Sequence, residues 1–171
     1  MAETGQEAPL PWQTEAIAGF ARSELFDRTF QEGMDLVEQT AAYLDGAGRQ
    51  DSKLLSRNAA LAYAAESMRL TTRLMKVASW LLVQRAVREG DMAPEAALDA
   101  SYRLSAEAEG EHAAPAEALP APLANLLGRS ERLFERVRHL DLRMYADGPI
   151  ETAPPHPVLA QMERLKDAFG T

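Results

Sequence analysis

The chain has 171 residues, 46% of them hydrophobic, which is enough for one domain with a real core. It contains no cysteine, so a disulfide framework and a thiolate metal site are both excluded. The net charge of −8 is concentrated: residues 1–15 carry three acids and no base, and residues 91–117 carry seven acids against Arg103 alone. Such segments repel a polyanion, which disfavours general nucleic-acid binding.

Residues 1–20, with Pro9 and Pro11, read as a disordered leader. A bundle is then expected over residues 21–147. Its first helix is predicted at about 23–45, capped by Ser23, with Glu24 and Asp27 in the first turn. Phe26, Phe30, Val37, Thr40, Ala41 and Leu44 fall near one face. Gly33 costs about 1 kcal/mol inside a helix, which points to close packing there. The stretch "DGAGR" ends the helix through Gly46 and Gly48.

The second helix is predicted from a cap at Asp51 or Ser52 to Glu89, about residues 52–89, stopped by Gly90 and Pro94. Leu54, Leu61, Met68, Met75 and Leu82 recur every seven residues, beside a smaller stripe of Ala65, Thr72, Ser79 and Ala86. A large stripe beside a small one lets another helix approach closely. Within "VASWLLV", Leu81 and Leu82, like Leu74 and Met75 just before them, are expected to face the other two helices. Val77, Trp80 and Val83 point elsewhere and form a candidate dimer surface. Either the 91–105 segment or a second copy of the chain covers them.

Residues 91–122 read as an acidic connector, with Leu98, Tyr102 and Leu104 touching the bundle. The third helix is predicted at about 123–146, with a heptad seam of Leu126, Ser130, Leu133, Val137, Leu140 and Met144. Residues 148–171 form an expected flexible tail. Val158, Met162, Leu165 and Phe169 would share one side of a short amphipathic helix there, marginal alone and suited to folding on a partner. The fold class is therefore all-α: a three-helix bundle of long antiparallel helices. The first helix carries six acids and one base, and the second carries one acid and seven bases over residues 52–88. That imbalance favours pairing them as an antiparallel hairpin.

Catalytic and metal chemistry find no footing. No pair among His112, His139 and His156 has metal-ligand spacing, and no phosphate-binding or nucleophile-elbow motif occurs. No catalytic residue, metal ligand or cofactor site is predicted, and an enzyme is not expected. A membrane span needs roughly 20 consecutive apolar residues, and no run approaches that. The first residues lack the basic and apolar regions of a secretory signal, so a cytoplasmic protein is expected. Two basic stripes stand out: Arg69, Arg73 and Lys76 on the second helix, and Arg129, Arg132 and Arg136, continuing to His139 and Arg143, on the third. They are either solvated flanks whose stems cover the core or a docking surface for an acidic partner or for the protein's own acidic loop.

The run "AAYLDGAGRQDSKLLSRNAALAYAAESMRLTTRLMKVASWLLVQRAVREGDM" resembles the central signature of the alphaproteobacterial RcdA family, regulators of CtrA degradation. "LPAPLANLLGRSERLFERVRHLD" is similar to that family's third-helix region. The resemblance implies a dimeric three-helix bundle with a flexible C-terminal tail and a non-catalytic role. It implies an adaptor for the ClpXP protease in cell-cycle control, acting after priming by a response regulator and delivering cargo such as transcription regulators. The alternative is a helical regulatory or scaffold module with no link to proteolysis.

Overall fold

A computed structural model of the chain describes residues 10–104 and 118–145. Six α-helices and one 3-10 turn occur in this part, and no strand is found among the described residues.

The first helix, α1 (Pro11–Ala21), lies where a leader was expected. Pro11 starts this helix rather than breaking it, because the first helical position needs no N–H donor and suits the fixed φ of proline. The Leu10 N–H donates to Gln13 Oε1 at 2.9 Å and fixes the entry. The helix persists because Ile17 and Ala21 are fully buried and Phe20 packs on Phe26 and Trp80.

Helix α2 (Glu24–Asp45) begins at the predicted cap. Ser23 Oγ accepts the Phe26 N–H at 3.1 Å, and its own hydroxyl donates to the Phe20 carbonyl at 2.6 Å. The buried side is Phe26, Thr29, Gly33, Leu36 and Thr40, so Leu36 rather than Val37 enters the core. A Cβ at Gly33 would stand 2.7 Å from Leu81 Cδ1, which explains the glycine by close helix approach.

A short helix, α3 (Ala47–Lys53), then precedes the longest one, α4 (Arg57–Glu89). The start of α4 falls later than predicted because the expected caps are engaged elsewhere. Asp51 accepts the Tyr43 hydroxyl at 2.9 Å, and the Ser52 hydroxyl donates to the Arg49 carbonyl at 3.0 Å. Ser56 caps α4 instead, accepting the Ala59 N–H at 3.1 Å. Gly90 closes it in the left-handed region, at φ 81°.

The chain then folds against the end of α4 through α5 (Pro94–Ala97) and a 3-10 turn (Ala100–Tyr102). Ala97 and Leu104 are buried and Leu98 packs on the core, while Tyr102 stays exposed. The last described helix, α6 (Ala121–Tyr145), buries Leu123, Leu126, Ser130, Leu133, Val137, Asp141 and Met144. This is the predicted seam with Leu123 and Asp141 added, while Leu140 is only partly buried against it.

Three pairs of contacts set the directions. Gly33 lies against Leu81, and Asp27 pairs with Arg88, so α2 and α4 are antiparallel. Glu32 pairs with Arg136 and Gln39 accepts from Arg129, so α2 is also antiparallel to α6. Arg73 meets Ser130 and Trp80 meets Asp141, so α4 and α6 run the same way and the connector joins opposite ends of the bundle. Helix α1 closes the bundle, packing on α4, α5 and α6.

The heptad stripe on α4 was expected to face the bundle, and it does not. Leu61, Met68, Met75 and Leu82 are 64%, 72%, 64% and 51% exposed, and Leu54 before the helix is 87% exposed. The core face is instead Leu70, Arg73, Leu74, Val77, Trp80, Leu81, Gln84 and Val87. Both faces repeat every seven residues, so periodicity alone does not choose between them. Hydropathy favours the more uniformly apolar one, whereas the true core face carries an arginine and a glutamine.

Candidate interaction surfaces

The polar groups inside the bundle hold it together. Arg73 is only 2% exposed, and its guanidinium donates to Ser130 Oγ at 2.9 Å, with Glu131 at 3.7 Å. Burial of an arginine is tolerated only when it is paired and hydrogen-bonded in this way. Asp141, also 2% exposed, accepts the Trp80 indole N–H at 2.9 Å and the Leu104 N–H at 3.2 Å on Oδ1. Arg103 approaches its other oxygen at 3.6 Å and stacks over the Tyr145 ring at 4.6 Å. The Tyr145 hydroxyl donates to the Ala97 carbonyl at 2.6 Å. One carboxylate thus ties α4, α6 and the segment after α5 together at one end of the bundle.

This arrangement has an alkaline consequence. The Tyr145 hydroxyl is pushed up to about 12 from 10.0, chiefly by burial and then by the charge of Asp141. Burial, and then the bond to Asp51, shifts the Tyr43 hydroxyl upward as well. The unfolded chain ionises these tyrosines near their ordinary value of 10.0, while the folded protein holds the Tyr145 proton until about 12. Their contribution is therefore fully present below about pH 10 and is lost as the pH rises toward 12. Urea midpoints measured between about pH 9 and about pH 11.5 are expected to fall, and Tyr145→Phe is expected to flatten the decline. An unchanged slope in that variant would remove Tyr145 as the cause.

The predicted dimer surface is corrected by these contacts. Val77 and Trp80 are 1% and 2% exposed within a single chain, and Val83 is half-buried against the core. Phe20 of α1, the α6 carboxylate and the 97–104 segment cover that side. The first alternative for "VASWLLV", coverage by residues following α4, accounts for part of it. The other part comes from α1, through Phe20, where the sequence predicts a leader.

The predicted basic surface divides. Arg73 leaves it for the core. Arg69 is bound to Glu66 at 2.9 Å, and Lys76 is half-buried. The cations of α6 line an open groove along α2, in which Arg129, Arg132 and Arg136 alternate with Glu32, Glu131 and Glu135. Arg129 donates to Gln39 at 2.7 Å and Arg136 pairs with Glu32, so the groove is a mixed-charge surface rather than a basic one. The tail residues Val158, Met162, Leu165 and Phe169 lie outside the described residues, as do residues 105–117 of the acidic connector. Among the described residues no cluster of three or more His, Asp or Glu side chains suits a metal ion, and no helix is long and apolar enough to cross a membrane.

The surface that sequence reasoning misplaced is the outer face of α4. From Asn58 to Leu82 every exposed residue is uncharged: Asn58, Leu61, Ala64, Ala65, Met68, Thr71, Thr72, Met75, Ser79 and Leu82. A long exposed apolar face on a folded protein marks an interaction site.

Comparison with known proteins accords with this architecture. A family model described as "Protein of unknown function (DUF1465)" matches residues 17–169. No curated protein matches the chain. The crystal structure of RcdA from Caulobacter crescentus CB15 is 71% identical, covering 77% of this chain and 99% of that one, with a TM-score of 0.64. With that identity over nearly the whole of the solved chain, and the same signature runs now placed on α2, α4 and α6, this protein belongs to the RcdA family.

Proposed function

We propose that this protein is a cytoplasmic, non-catalytic adaptor. It acts as a homodimer and delivers cell-cycle regulatory substrates to the ClpXP protease after priming by a response regulator. The observation that carries the reading is the 71% identity to RcdA over 99% of that chain. The fold is compatible with it. Its buried charges serve interhelical bonds, and its two long exposed features, the α4 face and the α2–α6 groove, suit protein partners. Each contact of such an adaptor is weak alone, and tethering raises the effective concentration of cargo.

The test is degradation of a candidate cell-cycle transcription regulator by purified protease and its priming regulator, with and without this chain. Faster cargo loss that requires both the regulator and this chain is expected. A variant lacking residues 149–171 is expected to keep its helical content and to deliver at least some cargo less well. No acceleration across a panel of cargos would sink the adaptor reading and favour a helical regulatory module unconnected with proteolysis.

A further inference from the structure

All the sulfur in this chain is thioether: there is no cysteine, and there are seven methionines. Five of these lie in the described residues, and the fold sorts them sharply. Met144 is 4% exposed in the core, and Met34 and Met92 pack half-buried against that core. Met68 and Met75 are 72% and 64% exposed. They stand seven residues apart on one side of α4, at the middle of its charge-free outer face. With Leu61 and Leu82 they supply the large apolar side chains of that face. Thr72 comes four residues after Met68 and three before Met75, so its side chain is a helix-surface neighbour of both.

We infer that Met68 and Met75 form a paired oxidation site, at which hydrogen peroxide converts the α4 face from apolar to polar. At each residue a sulfur lone pair attacks one peroxide oxygen. The O–O bond breaks, an S=O bond forms and water leaves, so sulfur is oxidised by two electrons and the peroxide is reduced. The product, methionine sulfoxide, is polar, and sulfoxide reductases return it to the thioether. Three features single out this pair. No thiol in the chain competes for the oxidant, and these are the most accessible sulfurs among the described residues. The new S=O oxygen accepts hydrogen bonds, and the Thr72 hydroxyl is a donor one helical turn from each site. Neither sulfur belongs to the core, so the bundle persists through a change that removes two of the four large apolar contacts of the face. The consequence for function rests on the adaptor reading above: a partner held on the α4 face is expected to bind roughly ten-fold more weakly once both residues are sulfoxides.

The full chain is treated with graded hydrogen peroxide, and peptide mass mapping follows the gain of one oxygen at each methionine. Met68 and Met75 are expected to react about ten-fold faster than Met144, with the circular dichroism unchanged. The two epimer-specific sulfoxide reductases together are expected to restore the starting mass. Retention on a hydrophobic-interaction column is expected to fall on oxidation and to recover after reduction. A chain carrying Met68→Leu and Met75→Leu keeps an apolar face with no sulfur to oxidise, and its retention is expected to resist the same treatment. A chain carrying Met68→Gln and Met75→Gln imitates the sulfoxide and is expected to elute early without peroxide. In the degradation assay the oxidant is removed before mixing. The ratio of cargo loss before and after treatment is expected to be roughly ten for the parent and near one for the leucine variant. Preferential oxidation of Met34, Met92 or Met144 would overturn the site. A leucine variant that loses retention or delivery as steeply as the parent would place the sensitivity elsewhere and overturn the inference. Mapping and retention are read without protease or cargo, so a failure of the adaptor reading leaves them standing, and a failure of the oxidation site leaves cargo delivery untouched.

Discussion

Trp80→Ala is expected to destabilise the protein by about 3–5 kcal/mol, the range for removing a large aromatic side chain from a core. The side chain is 2% exposed, its ring lies 5.7 Å from that of Phe20, and its N–H is committed to Asp141. Three things are lost together: apolar burial, the packing that holds α1 in place, and one donor to a buried carboxylate. The urea midpoint should fall with little change in slope, since the unfolded chain exposes nearly the same surface. Trp80→Phe keeps most of the ring volume and should cost about 1–3 kcal/mol, near the penalty for leaving a buried polar group short of a partner. The sequence reading, in which Trp80 lies on a dimer surface, expects the opposite: a shift to monomer with the core unharmed. An alanine variant that melts like the parent but loses self-association would restore that reading.

Asp141→Ala is expected to be comparably severe, about 3–5 kcal/mol, because removing one member of a buried charged network strands the others. The Trp80 indole and the Leu104 N–H would both lose their acceptor in a dry environment, and Arg103 would lose its counter-charge. Asp141→Asn keeps an oxygen at the same place and should cost clearly less. Native-state hydrogen exchange localises the effect. The Leu104 amide is expected to lose protection in the alanine variant well before the amides in the middle of α4 do. Equal protection of Leu104 in parent and variant would mean that Asp141 does not anchor that segment. Trp80→Phe combined with Asp141→Asn should cost less than the sum of the two, since both act on one hydrogen bond.

Much of the scaffold was legible in the chain. The Ser23 cap, the Gly90 stop and most of the α6 seam follow from local stereochemistry or from the spacing of apolar residues, which act within a few residues of themselves. Signature runs on α2, α4 and α6 were enough to point to the family. The location of the interaction surface was not legible. Helix α4 is apolar on two sides, each with a seven-residue repeat, and its inner side is marked by Arg73 and Gln84, residues that hydropathy assigns to solvent. Arg73 belongs inside because Ser130 waits for it on a helix 57 residues away in the chain, and Trp80 because Asp141 lies 61 residues away. Likewise α1 is a helix only because Ile17, Phe20 and Ala21 find the bundle to bury against; a short helix has little stability of its own. Local rules set where helices start and stop, but which face turns inward is settled by long-range pairing of buried polar groups, and a one-dimensional pattern does not contain that.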